Sequence, residues 1–314
     1  MNILVTGSSG VIGSYLIKKL IKEYPSAKIY GTTFKQFSTI GYTNNKNIHF
    51  IDYSLIFGIE QKFDQIWHLA TYGQPAKFIQ NWEDVLNLNT EDIIKLCRLL
   101  KPNGKFLYAS SSEIYGSPGL NNDADMPASY TCTPRSIYID SKRLGESIIN
   151  SLLPKENYRI FRICLAYSPY FLKNDNRVLY EFIVKALSNN EIQLLDEGSA
   201  IRQYLFIKDA CDMMLKITNT IYKNLLIKDE APIFNISNSS EPITIYELAK
   251  LIGENLKVPI RKGPKNANPH AAPKIVQVYP ERFLKLFPEF KFTSIKDGIA
   301  KVCSEAKEVY SKNI

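Results

Sequence analysis

Residues 2–6, "NILVT", form a short β-type run that leads straight into "GSSGVIG". That junction constrains the fold more than any other part of the chain. Gly7, Gly10 and Gly13 fall in the pattern T-G-x-x-G-x-x-G, ahead of "VIGSYLIKKLIKEY", whose apolar residues recur at helical spacing. A strand that turns tightly into a helix needs a glycine at the turn. A backbone that closely approaches a pyrophosphate needs a second, and a helix packed hard against the strand needs a third. The helix start, at Val11 and Ile12, adds free N–H groups and the positive end of the helix dipole, both suited to an anion. The loop predicts a dinucleotide site at the first strand–helix turn.

The rhythm that follows supports this. "KIYGTTF", "IHFIDY", "FDQIWHLA", "KFLYASS" and "YRIFRICLAY" read as further strands. "NWEDVLNLNTEDIIKLCRLL" reads as one amphipathic helix closed by Pro102-Asn103-Gly104, and "SIYIDSKRLGESIINSLL" as another. Strands alternating with helices imply parallel pairing and a sheet covered on both faces. After about residue 168 the alternation changes to helices with short strands. Among these, "PIFNIS" is placed to return to the sheet, and "GPKNANPHAAPK" reads as a loop. The expected fold class is α/β, a doubly wound parallel sheet with a smaller C-terminal substrate lobe. Residues 1–167 form the dinucleotide-binding domain, and residues 168–314 form a lobe with segments returning to it.

Composition excludes several other functions. With 314 residues, 45% of them hydrophobic, the chain can bury a large core. No apolar run reaches bilayer-spanning length, and "MNILVTGSSG" lacks the basic region and cleavage pattern of a secretory leader. Cys97, Cys132, Cys164, Cys211 and Cys303 are scattered, without C-x-x-C spacing. No metal site and no disulfide framework is expected, and a reducing cytoplasm is the natural compartment. The net charge of +8 is spread over the whole sequence with no basic block flanked by aromatics. It reads as a solvated surface rather than a nucleic-acid footprint, and it is compatible with a cleft for a diphosphate.

The glycine spacing resembles that of the extended short-chain dehydrogenase/reductase superfamily, whose fold is Rossmann-like. Its reactive pair is Tyr-x-x-x-Lys, four residues apart on one helix face. The ammonium favours the phenolate and brings the tyrosine pKa toward neutrality. The spacing alone selects nothing here: Tyr15/Lys19, Tyr24/Lys28, Tyr42/Lys46, Tyr138/Lys142, Tyr204/Lys208 and Tyr246/Lys250 all have it. Only Tyr138/Lys142 opens the helix after the fifth strand, at the family's separation from Ser111, so the resemblance makes these two catalytic. Ser111 then completes a Ser-Tyr-Lys triad. The resemblance further implies cofactor contacts at Gly7, Gly10, Val11, Ile12, Gly13, Asp52, Tyr53, Leu69 and Ala70, together with Tyr138 and Lys142. In NAD-binding members the second strand ends in an acidic residue. Here that place falls at Thr33, with Lys35 two residues on, so NAD is implied by the relatives while NADP stays open.

"SSSEIYG" resembles the T-S-E-x-Y-G of sugar-nucleotide enzymes that follow C4 oxidation with a second bond change. Glu113 is then a catalytic carboxylate. The alternative is a loop carboxylate that caps a backbone N–H. "PRSIYIDSKR", "NRVLYEFIVKAL" and "GSAIRQYLFIKD" resemble segments of the UDP-glucuronate decarboxylase branch, implying substrate contacts at Ser112, Arg177 and Arg202. In "RICLAYSP", Leu165 replaces an asparagine of the family, and Tyr170 replaces an arginine. The implied activity is NAD(P)-dependent oxidation of a nucleotide sugar at C4. Decarboxylation, 4,6-dehydration, release of the keto sugar and C4 epimerisation are the open outcomes. The resemblance also implies pairing into a homodimer or higher homo-oligomer through the tyrosine helix and the one before it. A dinucleotide sensor without turnover is the contrary reading, and such proteins tend to lose the tyrosine or lysine that this chain keeps.

Overall fold

A computed structural model describes residues 1–33, 45–116, 120–121, 133–171, 175–225, 227, 230–238, 240–263, 275 and 277–311. Lys35, Tyr42, Cys132 and residues 264–274 of the predicted loop lie outside the described residues.

The first half runs β1 (Asn2–Thr6), α1 (Val11–Glu23), β2 (Lys28–Thr33), β3 (Ile48–Asp52), β4 (Phe63–His68), α2 (Pro75–Gln80), α3 (Trp82–Asn89), α4 (Glu91–Cys97) and β5 (Leu100–Ser111). It continues through β6 (Leu120–Asn121), α5 (Ser136–Leu152), β7 (Tyr158–Ile163) and β8 (Leu165–Tyr167). The second half runs α6 (Val178–Asn189), β9 (Ile192–Gln193), β10 (Ile201–Phe206), α7 (Ile207–Asn219), β11 (Ile233–Ile236) and β12 (Pro242–Thr244). The chain ends with α8 (Ile245–Leu256), β13 (Ile260–Arg261), β14 (Gln277–Val278), α9 (Glu281–Leu286) and α10 (Ile295–Ser311).

Seven strands form one parallel sheet in the order β11-β7-β5-β4-β1-β2-β3. Its central strands are buried along almost their whole length, and β7 is buried throughout. This is why runs such as Ile3–Val5 and Phe106–Ala109 are apolar without alternation, while β7 buries two arginines, Arg159 and Arg162. Strand order reverses at β1, with β2 on one side and β4 on the other, so a crevice opens beyond their carboxyl ends. β11 returns from the second half to the edge of this sheet, as "PIFNIS" suggested. α7 also crosses back onto α1: Lys19 pairs with Asp212 at 2.5 Å, and Asn219 accepts from the Tyr24 hydroxyl at 2.5 Å.

Three elements differ from the sequence expectation. The predicted long helix breaks at Thr90, whose backbone leaves the helical region at φ −132°, ψ −82° and whose hydroxyl donates to the Leu86 carbonyl. β5 begins at Leu100, before Pro102-Asn103-Gly104, because the segment 101–104 is absorbed as a register shift between the pairs Phe63/Leu100 and Gln65/Lys105. "YRIFRICLAY" is two strands. Cys164 donates its N–H to the Ile236 carbonyl, ending the large ladder, and β8 then pairs with β10 in a separate sheet of order β12-β10-β8.

Candidate active site

The glycine loop behaves as its sequence requires. Gly7 has φ +68°, and a Cβ there would lie 2.8 Å from the backbone nitrogen of Ala70. A Cβ on Gly13 would lie 2.2 Å from the Gly7 carbonyl oxygen, so only glycine lets α1 pack this closely on the turn. Gly10 is exposed and begins α1 without a side-chain cap. The first N–H groups of that 13-residue helix, at Val11 and Ile12, therefore have no capping side chain. That is a cradle for a diphosphate, and these residues fit a dinucleotide.

A buried relay fixes the opposite wall. His68 is 1% exposed. Its Nε2 lies 2.8 Å from the Leu88 carbonyl, which can only accept, so Nε2 carries the proton. Nδ1 then accepts from the Thr6 hydroxyl at 2.8 Å, and Thr6 Oγ1 accepts from the Ala70 N–H at 3.2 Å. Burial pushes the His68 pKa down to about 3, keeping the ring neutral. Leu69 and Ala70 are thereby held beside Gly7. At the end of β3, Asp52 is exposed and accepts from the Ser54 N–H and hydroxyl, which hold its carboxyl below the usual range. Thr33 is half-buried at the end of β2. Tyr53 is turned inward, its hydroxyl donating to Asp92 at 2.8 Å.

The reactive residues meet where β5 ends. Ser111 closes the strand and accepts from the Glu113 N–H at 3.2 Å, starting the 3-10 turn Ser112–Tyr115. The Ser111 hydroxyl is close enough to the Tyr138 phenol to pull its pKa down. Tyr138 lies on the first turn of α5, and Lys142, one turn later, points at the end of β5, donating to the Ala109 carbonyl at 2.7 Å. This approach depends on Gly145: a Cβ there would lie 2.6 Å from both the Asn89 carbonyl and the Tyr108 hydroxyl. Asn89 pins the helix further by donating to Ser141 at 3.0 Å.

The electrostatics depart from expectation. Tyr138 is 7% exposed, and its pKa is raised above the ordinary phenol value. Burial is the largest cause and the Glu113 charge the next, while Ser111 and Arg135 pull the other way. Lys142 does not bring the phenol toward neutrality in the chain by itself. Its Nζ lies 6.0 Å from the Tyr138 ring centroid, and burial pushes its own pKa down to about 7 despite the nearby Glu146 carboxylate. Behind it, Glu146 accepts from Ser110 at 2.6 Å and from Arg162 at 3.1 and 2.8 Å. Arg162 also donates to Tyr115, which donates to Asn235, so the network ties β5, α5, β7 and β11 together.

Glu113 is paired: Arg135 Nη2 donates to its Oε1 at 2.6 Å. Arg202, from β10, is half-buried and feels the charges of both Arg135 and Glu113, so the second half of the chain reaches this corner. Ser112 is buried. Arg177 is set apart by its partner: Nη2 and Nε donate to Asp175 at 2.6 and 3.0 Å, and the guanidinium lies over the Tyr180 ring. Tyr170 lies under Lys18, and burial with the Glu305 charge raises its pKa, while Leu165 is exposed. Of the other Tyr-x-x-x-Lys pairs, Lys19 and Lys208 are both held by Asp212. The residue that sequence reasoning missed is Arg135. It stands three positions before Tyr138 in "PRSIY", but its partner is 22 positions away.

Comparison with known proteins agrees with this geometry. Residues 3–237 match the NAD dependent epimerase/dehydratase family. UDP-glucuronic acid decarboxylase 1 of Xenopus tropicalis is 26% identical over 257 residues, 80% of this chain and 59% of that protein. UDP-glucuronic acid decarboxylase 4 of Arabidopsis thaliana is 27% identical over 282 residues, 86% of this chain and 61% of that protein. The chain thus spans about three fifths of the length of these relatives. A UDP-glucuronic acid 4-epimerase from Bacillus cereus, solved with UDP-glucuronic acid and NAD, superposes with a TM-score of 0.78 at 20% identity, covering 99% of this chain and 100% of that one. A dTDP-glucose 4,6-dehydratase from Bacillus anthracis, solved with NAD, gives 0.75 at 17% identity, covering 99% and 98%. The chain belongs to the NAD dependent epimerase/dehydratase family.

Proposed function

We propose that this protein oxidises the C4 hydroxyl of a nucleoside-diphosphate sugar and decarboxylates the resulting 4-keto sugar. The observation that carries the reading is the buried Tyr138 phenol at the carboxyl end of β5, its pKa influenced by both Ser111 and Glu113, with Lys142 one helical turn on donating to Ala109. The relatives named as UDP-glucuronic acid decarboxylases support the second step.

Gly7, Gly10, Val11, Ile12, Gly13, Thr33, Asp52, Leu69 and Ala70 would hold NAD, which would supply the hydride acceptor for C4 and, after decarboxylation, the hydride that restores the hydroxyl. In the first step Tyr138 takes the proton of the 4-hydroxyl, Ser111 orients that oxygen, and Lys142 supplies positive charge at the base of the site. A ketone at C4 makes a carboxylate at C6 a β-keto acid, which loses carbon dioxide with the electron pair delocalised onto the C4 oxygen, next to Tyr138; the enolate then takes a proton at C5, and C4 is reduced again. Dehydration would instead need Glu113 as a base at C5, and its Oε1 is already engaged by Arg135 at 2.6 Å. Residues 1–167 serve as the dinucleotide half, and residues 168–314 supply Arg177 and Arg202 to the sugar side.

Leu144 and Leu152, two turns apart on α5, and Trp82 on α3 are exposed apolar side chains on the two helices proposed to pair with a second copy of the chain. No helix among the described residues is long and apolar enough to cross a membrane. Cys97, Cys164, Cys211 and Cys303 are free thiols; the proposed compartment is the cytoplasm.

The test is incubation with a panel of nucleotide sugars, following nicotinamide absorbance and product mass. Loss of carbon dioxide is expected from a UDP-hexuronate. Loss of water, loss of two hydrogens, or an unchanged mass with inverted C4 would name dehydration, release or epimerisation instead.

A further inference from the structure

One face of α1 carries a function that the cofactor turn does not use. Tyr15, Lys18, Lys19 and Lys22 follow the spacing i, i+3, i+4, i+7, which sets all four on one side of the helix. Lys301 and Glu305 of α10 meet them, with Tyr170 and Phe206 alongside, and these side chains line a surface cavity of about 210 Å³. Lys18 stands seven residues after Val11, about 10 Å along the helix axis. The cavity is therefore separate from the dinucleotide cradle at the start of the helix.

The charges in it do not cancel. Lys19 is spent on Asp212 at 2.5 Å, and Asp212 also holds Lys208 at 3.0 Å. Among the described residues, Lys18, Lys22 and Lys301 have no carboxylate within ion-pair distance. Two of them rest on rings instead: Lys18 Nζ is 4.2 Å from the Tyr170 centroid, and Lys301 Nζ is 5.8 Å from that of Phe206. Glu305 is the one carboxylate among the lining side chains. Residues 172–174 and 312–314, outside the described residues, contain no aspartate or glutamate that could add to it. Three ammonium groups against one carboxylate leave an excess of positive charge that an anion would balance.

The kind of cation points to the kind of anion. A planar carboxylate is best met by the fork of an arginine, and no arginine is among the lining side chains. Ammonium groups on flexible stems, converging from two helices, suit a compact polyanion such as a phosphate chain, which they meet as point charges. The cavity has room for a diphosphate and is smaller than the roughly 300 Å³ at which pockets begin to enclose whole drug-sized ligands. We propose that this cavity is a second anion site, which binds a diphosphate group through Lys18, Lys22 and Lys301. It stands apart from the reaction proposed above and does not depend on it.

The experiment is calorimetric titration of the NAD-loaded protein with sodium pyrophosphate and with UDP, at fixed ionic strength. Wild type is compared with Lys18→Gln, Lys22→Gln, Lys301→Gln, the triple variant, and Lys223→Gln as a control at an exposed lysine outside the cavity. Pyrophosphate is expected to bind wild type saturably and more weakly as salt is raised. Each single substitution in the cavity should weaken it about two- to fivefold, the range of one exposed ion pair, and the triple variant should remove this binding. Lys223→Gln should leave it unchanged, and Lys18→Arg, which keeps the charge, should retain most of it. UDP binding that falls with the same three lysines would identify a nucleotide as a carrier of the diphosphate. UDP binding indifferent to them would restrict the site to free pyrophosphate. Absence of saturable pyrophosphate binding up to about millimolar concentration would overturn the proposal. So would binding that survives the triple substitution, which would place it in the substrate crevice, or a loss of equal size in Lys223→Gln, which would make it an effect of net charge. Melting temperature and NAD content, measured alongside, identify a variant that has failed to fold, and the single substitutions then decide by the same comparisons.

Discussion

Phe78 lies flat against Tyr138, with ring centroids 4.4 Å apart and planes 11° from parallel. Phe78 comes from α2, at the mouth of the crevice, and is 1% exposed. The stack fixes the ring whose hydroxyl must meet one atom of the substrate. Phe78→Ala should cost about 3–5 kcal/mol of stability through the cavity it leaves. It should also slow nicotinamide reduction by about 10²-fold, because a reacting group held loosely loses its orientation. Urea unfolding and stopped-flow absorbance read the two effects separately. A destabilised variant with wild-type single-turnover rate would mean that the stack serves packing alone.

Tyr138→Phe should abolish reduction of the nicotinamide while NAD still binds, since the ring and its contacts stay and only the proton acceptor goes. Ser111→Ala tests the same oxygen more gently. Ser111 lowers the Tyr138 pKa against burial and Glu113, which raise it. Without Ser111 the phenolate forms less readily, so the rise of single-turnover rate with pH should move to higher pH. The rate below that rise should fall about tenfold, as for one lost hydrogen bond of roughly 1–1.5 kcal/mol. A profile that moves to lower pH would contradict the assignment.

Lys142 carries a stability signature. Its pKa falls from 10.5 to about 7 on burial. The unfolded chain therefore binds more protons than the folded one between these values. The resulting penalty is full below about pH 7 and fades as pH rises toward 10.5. Lys142→Met removes the penalty and also removes the hydrogen bond to Ala109. Its stability relative to wild type, measured without cofactor, should therefore be more favourable at pH 7 than at pH 10, by a few kcal/mol at most. A difference independent of pH would show that Lys142 is not desolvated. Activity should be lost in either case.

How much of this was legible follows from the range over which each cause acts. Gly7, Gly10 and Gly13 were readable because a turn, a phosphate approach and a helix contact all occur within seven residues. Tyr138 and Lys142 could be chosen from six equal spacings only because the strand–helix order placed them after β5. The break at Thr90 was hidden: "NWEDVLNLNTEDIIKLC" keeps helical spacing across it, and the cause is one side chain bonding back to Leu86. The split at Cys164 was hidden too, since both parts of "YRIFRICLAY" are apolar strands and only their partners, β11 and β10, differ. Arg135 and Phe78 act through contacts with Glu113 and Tyr138 that no local pattern encodes.

His68 gives the last prediction, and its sign is fixed by burial. The ring is neutral in the folded chain, with a pKa of about 3 against an ordinary 6.5. As pH falls through 6.5 the unfolded state takes up a proton that the folded state refuses. Stability from this group is complete above 6.5 and is lost progressively down to about 3. His68→Phe cannot titrate. It keeps a flat ring next to Tyr108, which His68 stacks on at 5.8 Å. It leaves the Thr6 hydroxyl and the Leu88 carbonyl without their partner, at about 1–3 kcal/mol for each orphaned group. At neutral pH the variant should be the less stable protein. Between pH 6.5 and about 4 wild type should lose stability faster, so the gap narrows. The titrations of carboxylates are common to both chains and cancel in the difference. Denaturant midpoints at intervals across that range give the measurement, and a gap that widens on acidification would mean the histidine is charged in the fold.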